Sequence, residues 1–155
     1  MIYLGITGTI FLLEMVVKTI IEKKGKMGVT KPICGGKILL KKFHNKGFAL
    51  NFGEKQQRVV AYISLVVCIC LTGISLLFGS GWNGMIKTGL SMVLGGAFSN
   101  TYDRLFRKYV VDYFSFGVKN KRLQRIVFNL ADIFIIIGAI VVMIGGIYHE
   151  NIGKR

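Results

Sequence analysis

Two aspartates are the residues of this chain whose type and setting are best suited to chemistry. Asp132 lies in the segment FNLADIFIIIG, where an apolar helix would be entering a membrane. Asp112 lies in KYVVDYF, in the predicted loop between the last two apolar segments, with apolar neighbours on both sides. A carboxylate at membrane depth is costly to ionise, so such residues are uncommon and usually functional. Two other interpretations stay open: Asp132 would pair with a basic residue to dock helices, and Asp112 would be a helix cap or a solvated charge.

A pair of carboxylates can hydrolyse a peptide bond without a metal or a covalent intermediate. When two carboxylates are held close together in a site of low dielectric constant, both cannot ionise easily and the pair shares one proton. The ionised member can then take a proton from water, while the protonated member donates a hydrogen bond to the substrate carbonyl. The connection between Asp112 and the last apolar segment is long enough to fold back and bring the two aspartates together.

Other catalytic chemistries have little support in the sequence. His44 and His149 show no metal-ligand spacing, and the chain contains no P-loop, GxSxG or dinucleotide-binding fingerprint. We therefore expect neither a metal nor a cofactor.

Apolar segments would have to position these residues. The chain has 155 residues, of which 52% are hydrophobic, which is more apolar surface than a water-soluble domain of this size could bury. A membrane-spanning helix needs about 20 mostly apolar residues. The sequence predicts four such spans, at about 1–21, 59–78, 85–100 and 126–147. We predict an all-α membrane protein of four transmembrane helices, forming one integral membrane domain over residues 1–155.

The third span is short and rich in small residues. Ser91, Gly95 and Ser99 recur every four residues, with Gly96 beside them. A face of small residues lets another helix approach closely. The glycines of the fourth span predict the same kind of packing: Gly138, Gly145 and Gly146.

The segment 22–58 between the first two spans predicts a small β-hairpin at the membrane surface. Lys37–Phe43 and Phe48–Phe52 are apolar enough for short strands, and His44–Gly47 between them would form the turn.

The charge of the chain indicates lipid headgroups as partners. The formal net charge is +14, from 21 Lys and Arg against 7 Asp and Glu. The basic residues fall between the apolar segments, and no nucleic-acid-binding motif accompanies them. Membrane lipids, and not nucleic acid, are therefore the expected partners.

The motifs around the two aspartates resemble a known family. NTYDRLFRKYVVDYF (Asn100–Phe114) and FNLAD (Phe128–Asp132) look like the N-x-x-D-R, V-x-D-F and F-N-x-A-D segments of signal peptidase II, the prolipoprotein signal peptidase. HNKGFAL (His44–Leu50) is similar to that family's N-T-G-A-A-F segment, and Glu14 and Lys18 match an acid and a lysine in its first helix. The resemblance covers nearly the whole chain.

Some positions depart from the family pattern. Glu14 stands where the family has aspartate, Lys46 where it has threonine, and Phe48 where it has alanine. Tyr113 replaces the phenylalanine of V-x-D-F, and the proline that usually precedes the FN motif is absent. The two aspartates are intact.

The resemblance implies a role for each matching residue. Asp112 and Asp132 would be the catalytic pair, and Lys18 would help to bind or orient near the first helix. Asp103 and Glu14 would be structural acids. The residues that would line the site and hold the substrate or the aspartates are Asn45, Gly47, Asn100, Arg104 and Asn129.

Two of these residues have other interpretations that stay open. Lys18 would equally pair with Glu14 at i,i+4 or extend to the membrane interface. Asn129 would equally be a polar residue at a helix N-terminus.

The resemblance also implies a substrate and a place in the cell. The protein would be an aspartic endopeptidase that removes the signal peptide from diacylglyceryl-modified prolipoproteins. It would be a monomer in the bacterial cytoplasmic membrane, with the active site and the hairpin on the extracytoplasmic side. The positive-inside rule favours the opposite orientation, because segments 22–58 and 101–125 carry most of the Lys and Arg residues.

Two functions of other kinds remain as alternatives. A non-catalytic relative that binds lipoproteins or peptides would keep the fold without needing both aspartates. A small proton- or cation-coupled transporter would use Asp132 alone.

Overall fold

Helices dominate the structure, a computed structural model that describes residues 1–47 and 56–153, without the side chains of 149–153. The helices are α1 (Ile2–Lys24), α2 (Gln57–Phe78), α3 (Gly84–Tyr102), the single turn α4 (Lys121–Gln124) and α5 (Leu130–Gly153). The strands are β1 (Thr30–Ile33), β2 (Ile38–Asn45) and β3 (Val110–Phe116).

Three helices in the described part of the chain are long and apolar enough to cross a membrane: Ile2–Lys24, Gln57–Gly81 and Leu130–Tyr148. Large apolar side chains on these helices remain exposed, as lipid-facing residues would; Leu12 is 63% exposed, Leu76 79% and Met143 68%. The third predicted span, 85–100, is a helix too, but its glycines and serines keep its hydropathy below that of the other three. Length and composition therefore support three of the four predicted spans.

The last long helix begins later than predicted. The sequence places its start near residue 126, whereas α5 begins at Leu130. The reason is a backbone pairing: the amide of Phe128 donates to the carbonyl of Phe114 at 2.7 Å, and the Phe128 carbonyl accepts from Tyr113 and Phe114 at 2.9 and 3.0 Å. Residues engaged in such a bridge cannot also form a helical turn.

Helix α3 packs against the other long helices through its small residues. On the side facing α1, the carbonyl of Ser91 accepts a hydrogen bond from Thr7 at 3.1 Å, and a Cβ at Gly95 would lie 2.8 Å from the Cβ of Ile10. On the side facing α5, a Cβ at Gly96 would lie 2.5 Å from the carbonyl oxygen of Ala131. The predicted close approach of helices is confirmed here.

The glycines of α5 do not all serve this packing. A Cβ at Gly138 would lie 2.5 Å from the carbonyl oxygen of Gly89, and one at Gly145 would lie 3.0 Å from Ile86. Gly146, by contrast, has no heavy atom within 4 Å of its Cβ position. The packing prediction is therefore wrong for Gly146, which follows Gly145 and so lies on a side of the helix that does not face α3.

The three strands form one antiparallel sheet in the order β1-β2-β3. Pro32 pairs with Leu39, Leu40 pairs with Phe114, and the register shifts before Phe43 pairs with Asp112. A tight turn at Cys34–Gly36 joins β1 to β2, with positive φ at all three residues. Two of these are glycine, which adopts that conformation without strain.

The predicted hairpin differs from this sheet. Its first strand, Lys37–Phe43, corresponds to β2, but β2 continues through His44 and Asn45, which were predicted as a turn. Its second strand, Phe48–Phe52, lies outside the described residues. The observed partners of β2 are β1 and β3, so Asp112 lies in a strand and not in a loop as predicted.

The two α5 glycines offer a matched test of the packing. Alanine is favoured over glycine in a helix by about 1 kcal/mol, so Gly146→Ala should leave the apparent melting temperature in detergent unchanged or higher. Gly138→Ala forces a methyl group onto the Gly89 backbone and should lower it, at an overpacking cost of about 1–3 kcal/mol. Equal melting temperatures for the two variants would contradict the α3–α5 contact.

Candidate active site

The return of the chain at Phe128 places the two aspartates in one site. Asp112 lies in the middle of β3, and Asp132 lies in the first turn of α5. Because Phe128 pairs with Phe114, the residues that follow it run back alongside β3. This brings Asn129 and Asp132 next to Asp112.

Asn129 contacts both aspartates. Its side-chain amide donates to Oδ1 of Asp112 at 2.6 Å, and its backbone amide donates to Oδ2 of Asp132 at 3.1 Å. Its Oδ1 accepts in turn from the backbone amide of Asp132 at 3.0 Å. The reciprocal pair is a capping box at the start of α5. Asn129 is therefore the polar residue at the start of α5 and at the same time contacts both aspartates.

Two further asparagines complete an amide shell, the set of amide groups from Asn45, Asn100 and Asn129 that donate to the two aspartates. Asn45, at the end of β2, donates to Oδ2 of Asp112 at 3.0 Å. Asn100, on α3, donates to Oδ1 of Asp132 at 2.9 Å. Each of the four carboxylate oxygens thus accepts a hydrogen bond from an amide N–H.

Arg104 and Gly47 lie beside these asparagines. The guanidinium of Arg104 donates to the carbonyl of Asn100 at 3.3 Å and to the carbonyl of Gly47 at 3.2 Å. The amide of Gly47 donates to Oδ1 of Asn45 at 3.1 Å, which turns the Asn45 amide nitrogen towards Asp112. Arg104 therefore joins the π-helical turn after α3, Asp103–Arg107, to the segment after β2.

Lys18 and Asp103 form a buried ion pair beneath the site. The ammonium of Lys18 lies 3.1 Å from Oδ2 of Asp103, and both side chains are 0% exposed. It also donates to Ser99 at 3.1 Å and to Oδ1 of Asn100 at 2.8 Å. Complete burial contradicts the interpretation that Lys18 extends to the membrane interface, and its ion pair crosses from α1 to the end of α3.

Tyr113 is a site residue that the sequence analysis missed. Its hydroxyl donates to Oε2 of Glu14 at 2.9 Å and accepts from the backbone amide of Leu130 at 3.0 Å. It therefore ties β3 to both α1 and the start of α5. Glu14 and Tyr113 both depart from the family pattern, which is the one feature of the sequence that could have pointed to a link between them.

The aspartates open onto two hollows. One, of about 250 Å³, is lined by Asn45, Arg104, Asp112, Asp132 and the apolar Phe128 and Ile135. The other, of about 260 Å³, lies towards α2, with Ile63 and Val67 in its wall and Asp132 also at its edge. Among the side chains that the structure describes, at 1–47 and 56–148, no three from His, Cys, Asp or Glu are grouped as metal ligands would be.

Asp112 is only 2% exposed, and this burial controls its ionisation. Loss of water contact, followed by the charge of Asp132, raises the pKa of Asp112 from its ordinary 3.8 to about 7. Hydrogen bonds from Asn45 and Asn129 act in the opposite direction, because they favour the ionised form. Near neutral pH, Asp112 can therefore hold a proton and release it.

Comparison with known proteins places the chain in one family. The family described as signal peptidase (SPase) II matches residues 6–148, a range that includes every site residue discussed above. The lipoprotein signal peptidase of Lactobacillus johnsonii is 32% identical over 144 residues, covering 92% of this chain and 90% of the relative. That of Lactiplantibacillus plantarum is 27% identical over 153 residues, covering 99% of each.

Solved structures share the fold. One bacterial membrane enzyme superposes with a TM-score of 0.83 at 21% identity, covering 99% of this chain and 91% of that one. A second superposes with a TM-score of 0.77 at 20% identity, covering 92% and 90%. The sequence match over residues 6–148 and the relative at 32% identity establish the relationship: the chain belongs to the signal peptidase II family.

Proposed function

We propose that this protein is an aspartic endopeptidase that cleaves the signal peptide from diacylglyceryl-modified prolipoproteins, with Asp112 and Asp132 as its catalytic dyad. The observation that carries the proposal is the position of Asn129, which binds both carboxylates at 2.6 and 3.1 Å and so keeps them side by side. The relatives named lipoprotein signal peptidase support the substrate class.

The reaction follows from the two environments. Asp112, with its pKa raised to about 7, carries the shared proton. Asp132 takes a proton from water, and the water oxygen attacks the carbonyl carbon of the scissile peptide bond. Asp112 gives its proton to the carbonyl oxygen as the tetrahedral intermediate forms. As the intermediate collapses, Asp112 takes back a proton from one of the intermediate's hydroxyl groups, which restores the carbonyl, and Asp132 gives its proton to the departing amine. Asp112 is then protonated and Asp132 ionised, as at the start.

The amide shell holds the two carboxylates in place, and Arg104 borders the space for the substrate. Asn45, Asn100 and Asn129 fix the carboxylate planes. Arg104, which donates to the Gly47 carbonyl, borders the hollow in which the substrate backbone lies. Lys18 and Asp103 support Asn100 from below. Glu14, through Tyr113, supports β3. None of these residues needs to move during the reaction, which favours a preorganised site.

The substrate reaches the dyad from the bilayer. Ile135 lies beside Asp132 in both hollows, and Ile63 and Val67 of α2 border one of them. The acyl chains of the prolipoprotein remain in lipid next to these residues, while its peptide lies across the dyad. Confinement of enzyme and substrate to one membrane supplies part of the rate by proximity.

The proposed topology has four spans in the bacterial cytoplasmic membrane, because α3 is counted as a span together with α1, α2 and α5. Both termini then lie on one side, and the sheet and dyad lie on the other. We place the dyad on the extracytoplasmic side because prolipoproteins are cut after export. The positive-inside rule alone favours the reverse. The dyad is complete within one chain, which supports a monomer.

Removal of either carboxylate should abolish processing. Asp112→Asn and Asp132→Asn keep the side-chain shape but remove general acid–base function, so each should slow cleavage by at least about 10²–10⁴-fold. The measurement is the processed band of a co-expressed, lipid-modified prolipoprotein, with enzyme abundance followed on the same gel. A variant that processes at the wild-type rate loses its place in the dyad. A transporter that uses Asp132 alone would be indifferent to Asp112→Asn.

The pH profile tests which aspartate carries the proton. Ionisation of Asp112 removes the hydrogen-bond donor, so kcat/KM should fall as the pH rises through about 7. Asn45→Ala removes a contact that favours the ionised form and should move this descending limb to higher pH. Because a raised carboxyl pKa favours the protonated folded state, the contribution of Asp112 to stability is full below pH 3.8 and is lost as the pH rises through about 7. A limb that moves to lower pH in Asn45→Ala would assign the proton elsewhere.

A double-mutant cycle tests the support from Tyr113. Tyr113→Phe removes the hydroxyl between Glu14 and Leu130, and each buried hydrogen bond lost should cost about 1–3 kcal/mol of stability. Adding Glu14→Asp to that variant gives the aspartate and the phenylalanine that the family has at these two positions, and it shortens the acidic side chain. The loss of stability in the double variant should be smaller than the sum of the single losses. Additive losses, measured by thermal unfolding in detergent, would show that the two residues act separately.

A further inference from the structure

A cleft of about 410 Å³ lies between the last turn of α1 and the β1–β2 hairpin. Its apolar wall comes from Ile20, Ile21, Val29 and Leu40. Its rim carries five lysines: Lys24, Lys26, Lys31, Lys41 and Lys42. No acidic residue lines it, and none of its lining residues lines the hollows at the aspartate pair. It is therefore a separate feature of the molecule.

Two of the rim lysines have partners within the fold. Lys42 lies 2.9 Å from the carboxylate of Glu22 and donates to the Glu22 carbonyl at 2.8 Å. Lys41 donates to the carbonyl of Gln124 at 3.1 Å. These contacts hold the hairpin against α1 and α4, so the cleft has a fixed floor.

The other three rim lysines carry uncompensated charge. Lys24, Lys26 and Lys31 are exposed, and none of them takes part in the ion pairs found among the described side chains, those of 1–47 and 56–148. Three ammonium groups thus surround an apolar opening. An ammonium binds a phosphate as a point charge, without demanding one fixed geometry.

The cleft lies at the level where α1 leaves the membrane. The candidate span of α1 runs from Ile2 to Lys24, and the cleft begins at Ile20. Apolar side chains stay exposed beside the lysines on the hairpin, with Met27 55%, Val29 51% and Ile33 38% exposed. Apolar residues interleaved with lysines at this depth match the boundary between acyl chains and headgroups.

We propose that this cleft binds an anionic glycerophospholipid of the surrounding leaflet, with its phosphate among Lys24, Lys26 and Lys31 and part of one acyl chain against Ile20, Val29 and Leu40. The apolar wall accounts for the chain, and the rim accounts for the negative headgroup. The proposal does not depend on the catalytic roles assigned above. Strand β2 runs from the cleft, at Leu40, to Asn45 at the aspartate pair, so the lipid would brace the strand that reaches the dyad.

The test compares two triple variants that lose the same charge. Lys24→Gln/Lys26→Gln/Lys31→Gln removes the three rim lysines that form no ion pair, and Lys119→Gln/Lys121→Gln/Arg122→Gln removes three exposed basic residues from the segment around α4. Each purified protein is mixed with equal amounts of phosphatidylglycerol and phosphatidylcholine in detergent, and the lipid retained is measured by native mass spectrometry. Wild type and the α4 variant should retain phosphatidylglycerol by about tenfold or more over phosphatidylcholine. The rim variant should lose that preference.

A third variant tests the apolar wall. Val29→Trp keeps every lysine but fills the opening, and it should weaken retention of phosphatidylglycerol relative to wild type. Glycerol phosphate, which has the charge but no acyl chain, should fail to displace the bound lipid. The proposal is overturned if wild type shows no preference, if both triple variants lose it equally, if Val29→Trp retains lipid as wild type does, or if glycerol phosphate displaces the lipid.

Discussion

The ammonium of Lys18 is fully buried, and the orientation of the polar groups around the aspartate pair follows from it. An ammonium can only donate hydrogen bonds, so it must face an oxygen of Asn100. The Oδ1 atom of Asn100 accepts from Lys18 at 2.8 Å, which leaves its amide nitrogen to donate to Asp132 at 2.9 Å. One buried positive charge on α1 thereby determines which atoms α3 presents to a carboxylate on α5. The cost of burying that charge is offset by Asp103 at 3.1 Å.

The site is built half from helices and half from the sheet. Asp132 and Asn100 belong to helices, whereas Asp112 and Asn45 belong to paired strands, and Asn129 joins the two halves. A dyad of this kind depends on the distance between a strand and a helix, which neither element fixes alone. Asn129 fixes it through side-chain and backbone contacts at once. Tyr113 adds a second tie, because its hydroxyl meets both Glu14 and the first amide of α5.

Local sequence patterns predicted the helices better than the sheet. Long apolar runs gave α1, α2 and α5, and the spacing of small residues indicated how α3 packs. Strand β3 was missed because its residues are apolar on both faces, so VVDYF lacks the alternation that marks a half-buried strand. Strand β1 was missed because TKPI is short, exposed and contains proline, which is tolerated only at a sheet edge. Both depend on pairing with residues distant in the chain.

The site was predicted from motifs more than from physics. Burial cost and apolar context singled out Asp112 and Asp132, but nothing in their spacing indicated that three asparagines would surround them. Lys18 is buried and does not reach the membrane interface, because Asp103 at the end of α3 forms an ion pair with it. Since the two residues are far apart in sequence, the sequence did not indicate this contact. The role of Tyr113 likewise required knowing that β3 passes Glu14.

The position of α3 has a consequence for how the protein is made. Its buried residues extend from Gly89 to Thr101, and its neighbours supply most of what covers them. A segment rich in glycine and serine is only weakly apolar, so its own transfer into the hydrocarbon core is not strongly favoured. The face of α3 that carries Gly89 and Gly96 packs against the backbone of α5, which is synthesised later. If α3 spans the membrane as proposed, its stable placement in the bilayer should therefore require α5, the helix against which its glycines pack.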